Sequence, residues 1–306
     1  MEDVFTILLT IFVFVGVGYA AGKTRILDHS QNRVFSRFVF YVSLPCLVLA
    51  LFGSQDVLGS ITLNLLALSI LPLLALVALI WLLHKVFKVS GRMTAMLILA
   101  TVMPSSTFVG LPVTNLLLGE DGTKFAIIIG ALHLLFTLLV SVPVVSLLTK
   151  SKHEGYGKAF RRVLSHPVFL ALIAGVILNI LGVRLPFLLE SPLQGIGAST
   201  SPVALFSIGL FMSGVKTNIR ETETALLLAV FRLIPYSLLV FALSSFFGVA
   251  GMPLAVALLL SMMPVAVLSF VLSVEYRLDS EAMALGLLIT ALFLPVPVYL
   301  VSKLVG

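Results

Sequence analysis

Long apolar blocks of about 17 to 25 residues recur along this chain, and a helix of that length crosses a hydrocarbon core of roughly 30 Å at about 1.5 Å of rise per residue. Short stretches of Gly, Pro or charge separate them. A soluble domain is roughly 45–50% apolar and 25% charged, whereas 60% of these 306 residues are apolar and 10% are charged. The solvent for such a chain is lipid. Apolar runs and their punctuation predict ten transmembrane spans near 4–21, 34–52, 61–83, 93–118, 124–148, 167–183, 196–215, 224–247, 252–275 and 282–304. The first follows Met1-Glu2-Asp3 rather than the basic start of a cleaved signal peptide, so it is kept as span 1.

The net charge of +6 has a membrane explanation, because its Lys and Arg residues sit between apolar blocks; no nucleic-acid partner is expected. Basic loops stay in the cytoplasm. Assigning the loops after spans 1, 3, 5, 7 and 9 to that side collects 15 of the 19 Lys and Arg residues, among them Arg33, Arg37, Lys85, Arg161 and Arg277. The opposite side holds Lys124, Arg184 and Lys303. Both termini are therefore expected outside the cytoplasm, in a multi-pass protein of the plasma (inner) membrane. The nineteenth, Arg232, falls inside span 8, where it either faces the protein or snorkels to the headgroups. The lone cysteine, Cys46, allows neither an intrachain disulfide nor a thiol metal cluster.

The polar linker from Thr149 to His166 divides the spans five and five, into residues 1–150 and 151–306. The halves echo one another in order: Leu44-Pro45 with Ser201-Pro202, Met103-Pro104 with Met263-Pro264, and Val142-Pro143-Val144 with Val296-Pro297-Val298. Five is odd, so the second copy enters the membrane from the opposite face. Inverted repeats of this kind are a common plan of secondary transporters, with the site at mid-membrane where interrupted helices meet.

Span 4 carries Pro104, Ser105, Ser106, Thr107, Gly110 and Pro112 in its middle, and span 9 carries Pro264, Val265 and Ser269. Proline removes a backbone donor and clashes with the carbonyl four residues earlier. Polar backbone is thereby freed at a depth where protein, water or substrate must satisfy it. If both spans open at their prolines, two half-helix N-termini converge and suit a carboxylate. A single proline is as readily a kink held by neighbouring helices, which is how Pro72, Pro143, Pro235, Pro295 and Pro297 are read. The matched pair favours a functional crossover.

The segment Ser105-Ser106-Thr107-Phe108-Val109-Gly110-Leu111-Pro112 with Gly119, and Met263-Pro264-Val265-Ala266 ending in Glu275-Tyr276, resemble the auxin efflux carrier family. That family includes the plant PIN-FORMED carriers and bacterial transporters often called malonate or dicarboxylate permeases. The resemblance covers the whole chain. It implies an all-α membrane fold of ten helices in a five-plus-five inverted repeat, with broken, crossing helices 4 and 9. It further implies a scaffold of spans 1, 2, 6 and 7 and a transport domain of spans 3–5 and 8–10, moving substrate in an elevator-like displacement. Ser105 and Ser106 stand where members often have Asn, and a hydroxyl offers one donor where an amide offers two. The chain also lacks the long central loop of many plant members.

The residues expected around an anion are Pro104, Ser105, Ser106, Thr107, Pro264, Val265 and Ser269, with Arg232, His133 and Asn115 as further contributors. His133 is read either as a structural hydrogen-bonding group or as a proton shuttle. No cofactor or metal is expected. The five histidines, His29, His84, His133, His153 and His166, lack ligand spacing, and this weighs against a membrane-embedded enzyme. The function expected is a carrier of a small organic anion such as a mono- or dicarboxylate or auxin-like acid. A passive channel or sensor on the same fold is the alternative. Membrane lipid is the expected surrounding partner, and a homodimer is an assembly the sequence leaves open.

Overall fold

The computed structural model describes residues 2–54, 62–149, 165, 167–214 and 219–305. The linker residues Lys150 to Arg162, with Asp56, His166, Lys216 and the side chain of Thr107, lie outside the described residues. Every regular element among the described residues is helical. Leu63–Val86, Val113–Leu148, Phe187–Ser213 and Ile219–Phe246 are long and apolar enough to cross a membrane, and Ser280–Leu292 with Pro295–Leu304, bent by 41°, makes a fifth such span. Phe12–Lys23, Tyr41–Ala50, Gly91–Thr101, Pro167–Ile180 and Gly251–Ser261 are shorter apolar helices.

The chain divides into two compact units. One holds Phe5–Ser60 and Arg161–Lys216. Its helices are α1 (Glu2–Lys23), α2 (Asn32–Phe38), α3 (Leu44–Ser54), α8 (Pro167–Ile180), α9 (Phe187–Ala198) and α10 (Thr200–Ser213). Helices α1 and α10 touch backbone to backbone: a Cβ on Gly18 would strike the Phe206 carbonyl, and one on Gly209 the Val15 carbonyl. Small residues at matching spacing permit this approach, which lipid-embedded helices use for van der Waals contact. A buried Ser43 hydroxyl bonds Thr200 across the unit, and Ser207 donates to the Asn32 carbonyl at 3.0 Å. Span 7 was expected from residue 196, yet its helix begins at Phe187. Pro192 lies within that helix, and Gly197 is where α9 lies against Leu47, with an added Cβ 2.7 Å from the Leu47 Cα.

The other unit holds Met1–Val4, Ile61–Phe160 and Thr217–Gly306. It contains α4 (Leu63–Val86), α5 (Gly91–Thr101), α6 (Leu111–Phe136), α7 (Val142–Leu148), α11 (Ile219–Leu233), α12 (Pro235–Phe246), α13 (Gly251–Ser261), α14 (Val267–Glu275), α15 (Ser280–Leu292) and α16 (Pro295–Val305). Its core includes Leu65, Leu68, Ile98, Leu99, Leu259 and Phe270, all 1% exposed or less. Gly119, at φ 65°, turns the backbone out of helical geometry within α6, separating the end of span 4 from span 5. Pro72, expected to kink span 3, sits inside the single continuous helix α4.

Among the described residues, Val39–Ser43, Ser106–Gly110 and Thr137–Ser141 wind as π turns. Leu44 N–H donates to Val39 O, Leu111 to Ser106 O and Val142 to Thr137 O, five residues back in each case. The next residue is proline every time: Pro45, Pro112, Pro143. A proline ring clashes with the carbonyl four residues earlier in a regular helix, and the wider turn moves that carbonyl aside while the helix continues.

Candidate functional site

Helix α5 ends at Thr101, where the Val102 N–H closes the last turn on Ile98 O at 3.0 Å. Pro104 disfavours the helical conformation for Met103, and the chain runs non-helical to Ser105 before the π turn restarts it. Helix α13 stops at Ser261 in the same way, and α14 starts at Val267 beyond Pro264. The two interruptions pair in an antiparallel bridge between Pro104 and Val265. Ser105 N–H donates to Pro264 O at 2.9 Å and Ala266 N–H to Met103 O at 3.0 Å. Val265 N–H donates to Thr290 Oγ1 at 3.0 Å, and Ser269 Oγ donates to Leu99 O at 2.7 Å. The crossing is thus a hydrogen-bonded joint. This corrects the expectation that the backbone just after each proline is left free: the N–H groups of Ser105 and Ala266 are accepted by the opposite break and that of Val265 by Thr290 on α15.

What remains are the first-turn N–H groups, Ser106 to Phe108 on one side and Val267 and Leu268 on the other, which have no acceptor within their own helices. The N-termini of α4, α5 and α15 are capped by side chains: Thr62 Oγ1 accepts from Leu65, Ser90 Oγ from Met93 and Asp279 Oδ1 from Ala282. The two starts at the crossing have no side-chain cap. They are buried, with Ser106 at 3% exposure and Val267 at 4%.

Arg232 is completely buried, so it faces the protein interior, and the snorkelling alternative is set aside. Its Nη1 donates to Thr101 O at 3.2 Å and its Nη2 to Leu260 O at 3.4 Å, the latter long for such a bond. Those carbonyls lie in the last turns of α5 and α13. Each helix C-terminus carries roughly −0.5 elementary charge, so two of them approximately offset one guanidinium. The cation also lies over the Tyr236 ring, its Cζ 5.3 Å from the centroid. Tyr236 hydroxyl and His133 Nε2 are 2.7 Å apart, and His133 Nδ1 and Ser106 Oγ 2.9 Å. Among the described residues, Thr101 Oγ1, Ser105 Oγ, Ser141 Oγ and Arg232 Nε are buried without a hydrogen-bond partner.

Pro104, Ser105, Ser106, Pro264, Val265, Ser269, His133 and Arg232 therefore belong to one bonded assembly. Asn115 does not join it: exposed, it donates to Thr123 Oγ1 at 3.0 Å, beside the Gly119 turn. Sequence reasoning missed Tyr236, Thr101 and Thr290. Tyr236 carried a signal, since it stands four residues after Arg232 and so shares a helical face with it. An apolar cavity of about 370 Å³, lined by residues including Ala229, Leu233, Met262 and Phe293, has no polar side chain in its wall. A carboxylate would find no donor side chain there.

Comparison with known proteins agrees with this architecture. The family model described as "Membrane transport protein" matches residues 3–302. An uncharacterized transporter of Methanocaldococcus jannaschii is 27% identical over 295 residues, covering 94% of both chains. An uncharacterized transporter of Methanothermobacter thermautotrophicus is 27% identical over 280 residues, covering 90% of this chain and 89% of its own. With several spans able to cross a membrane and a match over nearly its whole length, this multi-pass protein belongs to the membrane transport family of auxin efflux carriers.

Proposed function

We propose that the protein is a secondary carrier for small organic anions, built as ten spans in a five-plus-five inverted repeat. One observation carries the reading: at the crossing, the carbonyl ends of the broken helices have a resident cation in Arg232, whereas the N–H ends have no carboxylate among the described residues. Positive helix ends and neutral donors in a low-dielectric setting attract an anion. Ser105, Ser106 and the N–H groups of the two first turns are its partners. Arg232 holds the carbonyl ends and offsets their negative potential. The matched Met-Pro interruptions at 103–104 and 263–264 support the repeat. The two compact units support a scaffold of spans 1, 2, 6 and 7 and a mobile unit of spans 3–5 and 8–10, displaced in the manner of an elevator. The basic loops support a plasma-membrane orientation with both termini outside the cytoplasm.

Counterflow in proteoliposomes tests the function. Preloading with unlabelled malonate should accelerate uptake of labelled malonate, saturably, and indole-3-acetate serves as the second probe. Flux without saturation or counterflow points to a channel, and absence of both flux and binding with either probe refutes the organic-anion assignment.

A further inference from the structure

Tyr236, His133 and Ser106 form a chain of two hydrogen bonds from α12 through α6 to the crossing. Their exposures are 1%, 3% and 3%, so bulk water does not share these atoms. A neutral imidazole carries one N–H and each hydroxyl one O–H. Three hydrogens serve two links, and one hydrogen is left over at one end. If Nε2 bears the proton, the imidazole donates to the phenol, Ser106 donates to Nδ1, and the spare hydrogen is on Tyr236. If Nδ1 bears it, Tyr236 donates to Nε2, the imidazole donates to Ser106 Oγ, and the spare hydrogen is on Ser106.

Two features of the surroundings choose between these arrangements. The guanidinium of Arg232 lies over the Tyr236 ring, and a cation there strengthens the phenol as a donor and weakens it as an acceptor. Tyr236 has no hydrogen-bond acceptor other than His133 Nε2 among the described residues, so a spare phenolic hydrogen would be buried and unsatisfied. On Ser106 the spare hydrogen also lacks a protein acceptor among the described residues, but there it stands at the uncapped start of the interrupted helix, where the proposed anion would accept it. A doubly protonated imidazole would set a second buried cation beside Arg232, with no carboxylate bonded to either among the described residues.

We propose that Tyr236 and His133 are positioning residues that fix Ser106 as a hydrogen-bond donor toward the substrate, and so determine the specificity of the crossing for carboxylates. The proposal rests on the organic-anion reading above. With its oxygen engaged by His133 Nδ1–H, Ser106 offers its O–H and is biased against accepting. Its backbone neighbours at the crossing are N–H groups, which also only donate, while the Ser105 hydroxyl can turn its O–H toward the same anion. Such a set accepts a carboxylate, which has lone pairs and no hydrogens, and discriminates against the matching amide, whose NH₂ brings donors to donors.

The test combines ¹⁵N-histidine NMR of the protein in nanodiscs with calorimetric titration of malonate and malonamide. The His133 signals are identified by their disappearance in His133→Gln. We expect a neutral His133 protonated at Nδ1 in the wild type, and loss of that fixed tautomer in Tyr236→Phe. We also expect Tyr236→Phe to bind malonate about tenfold more weakly, equivalent to about 1.4 kcal/mol, with malonamide binding unchanged or improved. A wild-type His133 protonated at Nε2, or at both nitrogens, overturns the proposal while leaving anion transport intact. So does a folded Tyr236→Phe protein with unaltered preference for malonate over malonamide. Wild-type protein that binds no carboxylate at all overturns the organic-anion reading, and the role given to Ser106 with it.

Discussion

Ser105 donates its backbone N–H to the Pro264 carbonyl at 2.9 Å, while its hydroxyl, on a residue 2% exposed, has no partner among the described residues. The main chain of this residue holds the crossing together, and in the proposed carrier its side chain is the part that meets the anion.

Ser105→Ala should therefore separate binding from folding. The backbone bond survives the substitution, and removing an unsatisfied buried hydroxyl relieves a cost of roughly 1–3 kcal/mol. Thermal unfolding in detergent should be unchanged or slightly raised. Malonate affinity should drop about ten- to a hundredfold, since a hydrogen bond to a charged group contributes roughly 1.5–3 kcal/mol. A destabilised variant with wild-type affinity would show that the hydroxyl is structural.

Arg232 is expected to matter to the fold before it matters to transport. Arg232→Gln leaves the last-turn carbonyls of Thr101 and Leu260 without their cation, at about 1.5–3 kcal/mol for each charge-assisted bond lost. Arg232→Lys keeps the charge but lacks the planar fork that reaches both carbonyls, so its melting temperature should fall between wild type and Gln. Equal melting temperatures for all three proteins would remove the guanidinium from its place between the helix ends.

Glycine substitutions in the smaller unit offer a control within one helix pair. An added Cβ at Gly16 meets nothing within 4 Å, whereas at Gly209 it meets the Val15 carbonyl. Gly16→Ala should stabilise by up to about 1 kcal/mol through helix propensity. Gly209→Ala should destabilise by about 1–3 kcal/mol, because backbone on the facing helix cannot swing away as a side chain can. Identical effects, read by thermal unfolding, would refute close packing of α1 on α10.

The interruptions were legible in the sequence because Pro104 and Pro264 act locally, and any helix carrying them must respond within a turn. The fate of the released backbone was not legible. That Ser105, Val265 and Ala266 find acceptors in Pro264, Thr290 and Met103 depends on which segments meet in space. Arg232 illustrates the same boundary: its depth in span 8 could be counted from the sequence, but facing inward or outward is decided by the packing of α5 and α13 around it. Asn115 reads from the sequence as either a site or a packing residue, and in the fold its amide donates to Thr123, whose hydroxyl bonds the Gly119 carbonyl.

Asp28, in the turn between α1 and α2, gives a pH-dependent expectation. Hydrogen bonds from the Ser30 side chain and then the Ser30 N–H hold its carboxyl below the ordinary carboxylate range. A lowered value in the folded state means that its stabilisation is complete above the unfolded value and is lost as pH falls through the folded one. Asp28→Ala should therefore melt below wild type at neutral pH, with the gap closing in acid. Asp28→Asn, which retains a capping oxygen, should lose less. A gap that widens on acidification contradicts the capping role.

The π turns ahead of Pro45, Pro112 and Pro143 also alter how the sequence maps onto helical faces. Each is equivalent to one extra residue spliced into a regular helix, which rotates everything downstream by about 100° relative to a 3.6-residue period. A helical wheel drawn straight through Val39–Ser43 or Thr137–Ser141 therefore assigns the wrong residues to the lipid. Deleting a single residue within such a turn should remove the splice and leave the remainder of the span on its present faces, whereas the same deletion in an uninterrupted helix turns everything downstream by about 100°.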